Sequence, residues 1–202
     1  MKLYYSTGAC SLAPHIVLHE AALAHEPVLA STKTHKLPDG TDFYSINPLG
    51  YVPVLELDDG TRLRECQAIL QYLADQAPQK NLAPANGTLA RYRLQEWLSF
   101  ISSEVHKGFG PLWVPTTPED YKPVVQQRVL ARLQWLDGEL ANRQYLMGDQ
   151  FSVADAYLFT VSNWAQYVGP DISELKNLAA YRARIAARPA VQAAMKAEGL
   201  LK

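Results

Sequence analysis

The stretch Tyr4–His15 contains the first residues whose types and order could do chemistry. Apolar residues predict a short strand at Leu3–Tyr5, and apolar positions at helical spacing predict a helix from about Leu12 to Ala24. Because Pro14 is tolerated only in a first helical turn, Cys10 should lie at or just before the helix N-terminus. Unpaired N–H groups at that end favour negative charge, so a reactive thiol is expected there. The alternative is that Cys10 is a small packed residue.

Composition and charge narrow the class of protein. The chain has 202 residues, of which 48% are hydrophobic and 19% charged, as in ordinary globular proteins. Its formal net charge of −1 gives no support for nucleic acid or an anionic membrane as a partner. No apolar run approaches the ~18 residues of a membrane span. The start, Met-Lys-Leu-Tyr-Tyr, is not a signal peptide, and there are two cysteines only, so we expect a cytoplasmic protein with reduced thiols.

The first part of the chain, residues 1–78, predicts an α/β domain. A short strand is expected at Glu26–Ala30, where Pro27 confines it to a strand start or a sheet edge. Alternating apolar residues on both sides of Asp59-Gly60 predict a β-hairpin with an Asp-Gly turn. A helix is expected from Glu65.

The remainder of the chain predicts helices only. Residues 79–86 resemble a linker, and residues 87–202 a helical domain. One long helix is expected around Trp97, a second is expected to begin at Thr117-Pro118, and a third is expected between a capping box at Ser152–Asp155 and Trp164. Two short helices are expected at Leu178–Ala186 and Pro189–Ala197.

These motifs together resemble a bacterial beta-class glutathione transferase over essentially the whole length of the chain. The residues that carry the resemblance are Tyr5, Gly8-Ala9-Cys10-Ser11, Asn47-Pro48, Gly50, Val52-Pro53, Asp59-Gly60, Glu65, Trp97 to Phe109, Ser152 to Asp155 and Ala197-Glu198-Gly199-Leu200. The resemblance implies an α/β thioredoxin-like N-terminal domain plus an all-α C-terminal domain. It also implies a homodimer and glutathione as the co-substrate, bound between the domains.

The resemblance further implies which residues bind glutathione. They are Tyr5, Cys10, His35, Val52, Pro53, Glu65, Cys66, Ser99, Ser103, His106 and Lys107. Cys10 would contact the glutathione sulfur with the help of His106, and these two are the implied catalytic residues. Val52, before a cis Pro53, would present its backbone to the cysteinyl unit. Taken from the residues alone, a trans proline at a strand entrance is the commoner case.

Glu65 and Cys66 would hold the γ-glutamyl end of glutathione. An acid at a helix start is also favoured by the helix dipole in any protein. At three positions the chain departs from the family pattern: Cys66 stands where many relatives have Ser or Gly, Ser99 where several have Asn, and His35 where they have Lys. A histidine is mostly neutral at pH 7, so a lower or pH-dependent affinity for glutathione is expected.

Two histidines, His15 and His19, are four residues apart on one helix face, which is a metal-like spacing. No third ligand is evident beside them in the sequence, and we expect no metal. Apolar residues of the helical part are expected either in the core or beside a pocket for an apolar co-substrate. They are Phe109, Leu112, Trp113 and Trp164.

The function that the resemblance implies is conjugation of the glutathione thiol to electrophilic, largely apolar small molecules. Two other functions stay open at this point. One is a glutathione-dependent thiol–disulfide reductase or reductive dehalogenase that passes through a Cys10–glutathione mixed disulfide. The other is a ligand-binding stress protein with little turnover. The physiological electrophile is not predicted, because its pocket carries no motif.

Overall fold

A computed structural model of the chain describes residues 1–201, which form two compact units. The first unit comprises residues 1–82 together with 188–201, and the second comprises residues 83–187. None of the helices in the described residues is both long and apolar enough to cross a membrane.

Within the described residues, all four strands lie in the first 63 residues of the chain. The strands are β1 (Lys2–Tyr5), β2 (Glu26–Leu29), β3 (Val54–Glu56) and β4 (Arg62–Leu63). The helices are α1 (Leu12–Glu20), α2 (Cys66–Gln76), α3 (Leu89–Phe100), α4 (Lys107–Trp113), α5 (Lys122–Glu139), α6 (Val153–Ser162), α7 (Ala165–Val168), α8 (Lys176–Ala186) and α9 (Pro189–Ala197). Phe43–Ser45 and Pro78–Lys80 are 3-10 turns, and Ile101–His106 is a π-helical segment between α3 and α4.

The sheet of the first unit has the strand order β2-β1-β3-β4. Strand β2 pairs parallel to β1, and the other two pairings are antiparallel. Leu3 is fully buried at the centre of the sheet, opposite Pro27 on one side and Leu55 on the other. Pro27 lies on the edge strand, where the missing N–H costs little. The predicted α/β layer is confirmed.

Helix α9 belongs to the first unit, because it packs against α1. Arg188, just before α9, forms a two-point ion pair with Glu20 at the end of α1, with N···O distances of 2.6 and 2.9 Å. The compact units therefore differ at the C-terminal end from the division into 1–78, 79–86 and 87–202, which stays a prediction about domains. The second unit is helical, as predicted.

Helix α1 ends at Glu20, and the predicted extension to Ala24 is wrong. The N–H of Leu23 donates to the Leu18 carbonyl and that of Ala22 donates to the His19 carbonyl, while Ala22 adopts a left-handed φ of 54°. These two bonds are the Schellman pattern that satisfies the last carbonyls of a helix. Glycine is the usual residue at the left-handed position, so an alanine there gave no stop signal.

Three further boundaries differ from the sequence prediction. Helix α5 begins at Lys122 rather than at Thr117, whose hydroxyl instead donates to the Pro111 carbonyl at 2.6 Å. Helix α6 ends at Ser162 rather than at Trp164. The hairpin loop is longer than an Asp-Gly dipeptide, because the N–H of Leu57 bonds the carbonyl of Thr61. Gly60 supplies the one positive φ that this loop needs, 83°.

The capping box at the start of α6 is confirmed. Asp155 Oδ2 accepts from both the backbone N–H and the hydroxyl of Ser152, each at 2.8 Å. Its other oxygen, Oδ1, accepts from the N–H of Leu146 at 2.8 Å and from the hydroxyl of Tyr181 at 2.9 Å. Although burial raises the pKa of Asp155, this set of donors satisfies the carboxylate and joins three segments of the second unit.

Candidate functional site

Cys10 lies in the turn that leads into α1 and is 8% exposed. Its Sγ donates a hydrogen bond to the carbonyl oxygen of Val52 at 3.3 Å. Val52 and Pro53 are joined by a cis peptide bond, as the resemblance implied, and β3 follows at Val54. The structure therefore brings Cys10, Val52 and Pro53 together on one edge of the first unit.

Glu198, near the chain's C-terminus, anchors the turn that carries Cys10. Its Oε2 accepts from the N–H of Gly8 at 2.9 Å, and its Oε1 lies 2.9 Å from Nδ1 of His15 on α1. Ser11 closes the turn on itself, because its Oγ accepts from the N–H of Ser6 at 3.1 Å and lies 3.2 Å from the Ser6 carbonyl. Sequence analysis missed this role of Glu198, since no local pattern marks a partner 190 residues away.

The N-terminus of α2 lies beside the same turn. Glu65 is exposed in the position before the helix, and its φ of 67° places a non-glycine residue in a rarely populated region. Cys66, the first helical residue, is buried, and its Sγ donates to the carbonyl of Cys10 at 3.6 Å. Burial, and after it the neighbouring Cys10 and Glu65, raise the pKa of the Cys66 thiol well above its ordinary value. Cys66 is therefore a packed thiol, and not a second reactive sulfur.

His35 lies in the loop between β2 and β3, with a positive φ of 51°. Its ring packs against Tyr44 at a centroid distance of 4.6 Å, and its Nδ1 is buried with no hydrogen-bond partner. Gly50 is required beside it, because a Cβ there would lie 2.9 Å from that nitrogen. Tyr44 and Gly50 together fix the position of the His35 ring.

Tyr5, at the end of β1, lies on the His15 side of the turn. Its ring centroid is 5.6 Å from that of His15. Burial, and next the Glu198 carboxylate, raise the pKa of Tyr5, so this hydroxyl keeps its proton at neutral pH. The resemblance names Tyr5 among the glutathione-binding residues but not among the catalytic ones, and a protonated phenol is consistent with that.

His106 closes the π-helical segment of the second unit. Burial, and next the charge of Lys107, lower the pKa of His106 to about 4, so the ring is neutral at pH 7. Its Nδ1 lies 2.6 Å from the hydroxyl of Tyr157 on α6. When that hydroxyl donates to Nδ1, Nε2 carries the proton and is the donor that the ring can offer elsewhere. Sequence analysis missed Tyr157, which only the packing of α6 brings to His106. π-Helical turns occur often at functional sites.

The other predicted site residues from α3 to the start of α4 are more exposed than His106. Ser99, Ser103 and Lys107 are exposed, whereas the His106 ring turns inward. The hydroxyl of Ser103 donates to the carbonyl of Ser99 at 2.9 Å. Ser103 and His106 lie within the π-helical segment Ile101–His106, which the sequence alone did not indicate.

An aromatic cluster surrounds Trp164. The ring centroids of His106, Phe109 and Trp113 lie 5.1, 5.9 and 6.0 Å from the Trp164 ring. Phe109 and Trp164 are buried, whereas Trp113 is 48% exposed and Leu112 is partly exposed. The first two are therefore core residues, and the other two are accessible to a ligand.

A third histidine lies beside His15 and His19 of α1. His25, at the entrance to β2, brings a ring nitrogen to the same place as those of His15 and His19, all within 4.8 Å of one another. The view that no third ligand accompanies the pair was wrong, because the turn after α1 returns the chain to the helix.

Each of the two units contains a match to a known family model. Residues 7–76 match the family model for the glutathione S-transferase N-terminal domain, and residues 90–189 match that for the C-terminal domain. The chain therefore belongs to the glutathione S-transferase family. The fold is accordingly the thioredoxin-like plus all-helical one that the resemblance implied.

Within the family, the chain resembles the bacterial beta class. It is 46% identical to the glutathione S-transferase GstA of Escherichia coli O157:H7, over 99% of this chain and all of that one. It is 50% identical to the beta-class enzyme of Sphingomonas chungbukensis, with a TM-score of 0.97 and complete coverage of both chains. A sphingomonad glutathione S-transferase solved in complex with glutathione shows the same identity and coverage, with a TM-score of 0.96.

Proposed function

We propose that the protein conjugates glutathione to electrophilic, largely apolar small molecules. The observation that carries this proposal is the contact of the Cys10 thiol with the carbonyl of Val52, beside the N-terminus of α2. This arrangement offers a thiol, a strand-entrance backbone and a helix N-terminus to one small peptide. Relatives that are named glutathione S-transferases, one of them solved with glutathione, support the same substrate.

The backbone of Val52 is the proposed contact for the cysteinyl unit of glutathione. Val52 immediately precedes Pro53 and β3, so an extended peptide can add to the chain there through main-chain hydrogen bonds. Such a contact places the glutathione sulfur near Cys10. The Cys10 S–H then donates to that sulfur instead of to the Val52 carbonyl.

The start of α2 is the proposed contact for the γ-glutamyl unit. The first N–H groups of a helix have no partner within it and favour a carboxylate. The exposed carboxylate of Glu65 suits the ammonium group of the same unit. At the other end of the peptide, His35 is the proposed neighbour of the glycyl carboxylate.

The reaction follows from stabilising a thiolate. Glutathione gives up its thiol proton to solvent, and hydrogen-bond donors stabilise the resulting anion. The sulfur attacks an electrophilic carbon, so an S–C bond forms and the bond to a leaving group such as chloride breaks. The leaving group departs with its electron pair. We infer that Cys10 and neutral His106 are the donors, and that Ser99, Ser103 and Lys107 complete the peptide site.

The electrophile is proposed to bind against the accessible edge of the aromatic cluster. Trp113 and Leu112 present apolar surface there, while the buried Trp164 holds the His106 ring from behind. A flat apolar ligand gains most from such a surface by stacking on the indole. A chloronitrobenzene is therefore a suitable probe substrate.

The test is glutathione-dependent conjugation of chlorodinitrobenzene by the purified protein, together with glutathione binding by calorimetry. We expect turnover that saturates with both substrates, and Trp113→Ala should raise the KM for the aromatic substrate without changing the Kd of glutathione. Glutathione binding without turnover would favour a ligand-binding protein and contradict the proposed activity.

A homodimer is part of the same proposal. In the second unit Trp97, Phe100 and Trp135 line a groove of about 570 Å³ whose rim carries both acidic and basic side chains. Mixed charges around an aromatic patch suit pairing of the patch with its own copy across a two-fold axis. Trp135→Glu should therefore yield monomers in sedimentation analysis. Trp113→Glu is the matched control, because that indole is also 48% exposed.

The cytoplasm is the proposed location. Both cysteines are thiols in the structure, and the thiol form is maintained in reducing compartments. Glutathione in its reduced form is the substrate that this chemistry requires. Fractionation that placed the protein outside the cytoplasm would contradict this part of the proposal.

A further inference from the structure

We propose that His15, His19 and His25 form a binding site for a divalent transition-metal ion, with Zn²⁺ as the reference ion. This three-histidine site lies at the C-terminal end of α1, the helix whose other end follows Cys10. The proposal does not depend on the conjugation activity.

The three rings converge. The ring centroids of His15 and His19 are 5.3 Å apart in a stacked arrangement, and the His25 ring meets both edge-on at 5.4 and 5.2 Å. One ring nitrogen of each lies within 4.8 Å of the others. Zn²⁺ at ~2.0 Å from three nitrogens of a tetrahedron sets them about 3.3 Å apart. Small changes of side-chain torsion therefore suffice for all three to bind one ion.

Two of the rings are already oriented for metal binding. Nδ1 of His15 lies 2.9 Å from the Glu198 carboxylate, and Nδ1 of His25 lies 2.9 Å from the Leu23 carbonyl. Metal-binding histidines usually donate their second ring N–H to such a carboxylate or carbonyl, which fixes the tautomer. In that tautomer, Nε2 of each ring bears the lone pair that a metal requires.

Two of the other ring nitrogens lack the partners that buried polar atoms normally have. Nε2 of His15 and Nε2 of His19 are both buried and make no hydrogen bond, and the His15 side chain is completely buried. An unsatisfied buried polar atom costs free energy and requires an explanation. A shared metal ion satisfies both atoms at once. His19 and His25 are partly exposed, so an ion can reach them from solvent.

The ligand set selects the class of ion. Three imidazoles without a thiolate suit Zn²⁺, Ni²⁺, Co²⁺ and Cu²⁺, and disfavour the oxygen-seeking Mg²⁺ and Ca²⁺. Three protein ligands leave a fourth tetrahedral position for water. The turn at Ala22 makes the site possible, because it ends α1 after His19 and returns His25 to the helix.

The test is titration of the full-length, tag-free protein with zinc chloride by calorimetry, after removal of metals with a chelator. The double variant Cys10→Ser/Cys66→Ser, titrated alongside the wild type, removes both thiols as competing ligands and should bind zinc equally well. We expect about one ion per chain. His19→Gln and His25→Gln should each weaken binding about 100-fold or more, since loss of even an outer-shell partner costs 10–100-fold. His35→Gln is the matched control and should leave zinc affinity unchanged.

A second readout separates binding from folding defects. Zinc should raise the melting temperature of the wild type, because a ligand that binds only the folded state stabilises it by mass action. His25→Gln, in a surface turn, should melt normally without zinc and show no zinc-dependent rise. No zinc binding by the wild type, or equal binding by His25→Gln, overturns the proposal. Binding of Mg²⁺ as tight as Zn²⁺ overturns it as well.

Discussion

The thiol of Cys10 and the carbonyl of Val52 are joined by a hydrogen bond of 3.3 Å. A thiolate has no proton to donate, so this contact exists only for the S–H form of Cys10. The reactive thiol expected from the helix N-terminus is thus, in the structure, a hydrogen-bond donor. In the proposed reaction we therefore expect Cys10 to donate to the sulfur of glutathione and not to be the attacking atom.

Substitution of Cys10 tests this role. Cys10→Ala removes one hydrogen bond to a charged sulfur, which is worth about 1.5–3 kcal/mol, so kcat/KM for conjugation should fall by about 10- to 100-fold. Cys10→Ser keeps a donor and should retain much more of the activity. The measurement is steady-state conjugation at saturating aromatic substrate.

Equal loss of activity in Cys10→Ala and Cys10→Ser would show that the sulfur atom itself reacts. That outcome would favour the reductase or dehalogenase chemistry through a mixed disulfide. Intact mass after treatment with oxidised glutathione would then show one glutathione adduct on Cys10. Cys66 serves as the internal control, because the raised pKa of its thiol makes it a poor nucleophile.

Glu65 combines an exposed carboxylate with a left-handed backbone. Glu65→Ala removes the carboxylate and keeps the unfavourable φ, whereas Glu65→Gly removes both. Each should weaken glutathione binding about 10-fold or more in calorimetry, because the contact with the ammonium group is lost. Glu65→Gly should be about 1 kcal/mol more stable than Glu65→Ala in urea unfolding, since glycine adopts this φ without strain.

Glu174→Ala is the control for Glu65, since it removes an exposed acid elsewhere. It should change neither glutathione binding nor stability measurably. If Glu65→Gly bound glutathione as tightly as the wild type, the carboxylate would have no part in binding.

Residues close in sequence were predicted better than residues that meet only on folding. The start of α1 and the capping box at Ser152 follow from motifs of a few residues, and the structure has both. The cis Pro53 is also present, but it was implied by the family resemblance and not by the local residues, which favour a trans bond. The anchoring of the Cys10 turn by Glu198 was missed, because it joins the two ends of the chain.

The predicted end of a helix was wrong where a residue adopts a backbone conformation that is unusual for its type. Ala22 stops α1 in a position that glycine normally takes, so the helix was predicted too long and the approach of His25 to His15 was not foreseen. The π-helical segment Ile101–His106, which ends directly before Lys107, was likewise not foreseen. No residue type marks such a segment in a single sequence.

The lowered pKa of His106 predicts how stability depends on pH. Its pKa is about 4 in the folded protein and ordinarily 6.5, so between these values the unfolded chain binds a proton that the folded chain does not. Stability therefore falls as the pH falls from 6.5 to 4, by up to about 3 kcal/mol from this residue, and this loss is complete below pH 4. Urea unfolding followed by tryptophan fluorescence at a series of pH values measures it.

His106→Gln should flatten this dependence without abolishing it, because the pKa values of His19 and His25 are lowered too. The double variant His19→Gln/His25→Gln is the control, and it should retain the part of the pH dependence of stability that is due to His106. A slope between pH 4 and 6.5 that His106→Gln leaves unchanged would mean that this ring is not the buried neutral group described above.

The carboxylate of Asp155 accepts four hydrogen bonds at the start of α6. Its removal should therefore lower the free energy of unfolding substantially. Asp155→Ala leaves the N–H groups of Leu146 and Ser152 and the hydroxyl of Tyr181 buried without their acceptor. At about 1–3 kcal/mol for each unsatisfied group, the free energy of unfolding should fall by about 3 kcal/mol or more. Ser152→Ala should cost about 1 kcal/mol, the usual value of an N-cap.

The matched control for Asp155 is Asp171, an exposed carboxylate that also accepts from a backbone N–H, that of Ser173 at 2.9 Å. Asp171→Ala should cost less than about 1 kcal/mol in the same urea titration, because solvent replaces the lost acceptor. Equal losses for Asp155→Ala and Asp171→Ala would show that burial adds nothing to the bonds of Asp155. The capping box would then be a local feature of α6, and the packing of Tyr181 and Leu146 around it would be maintained by apolar contacts alone.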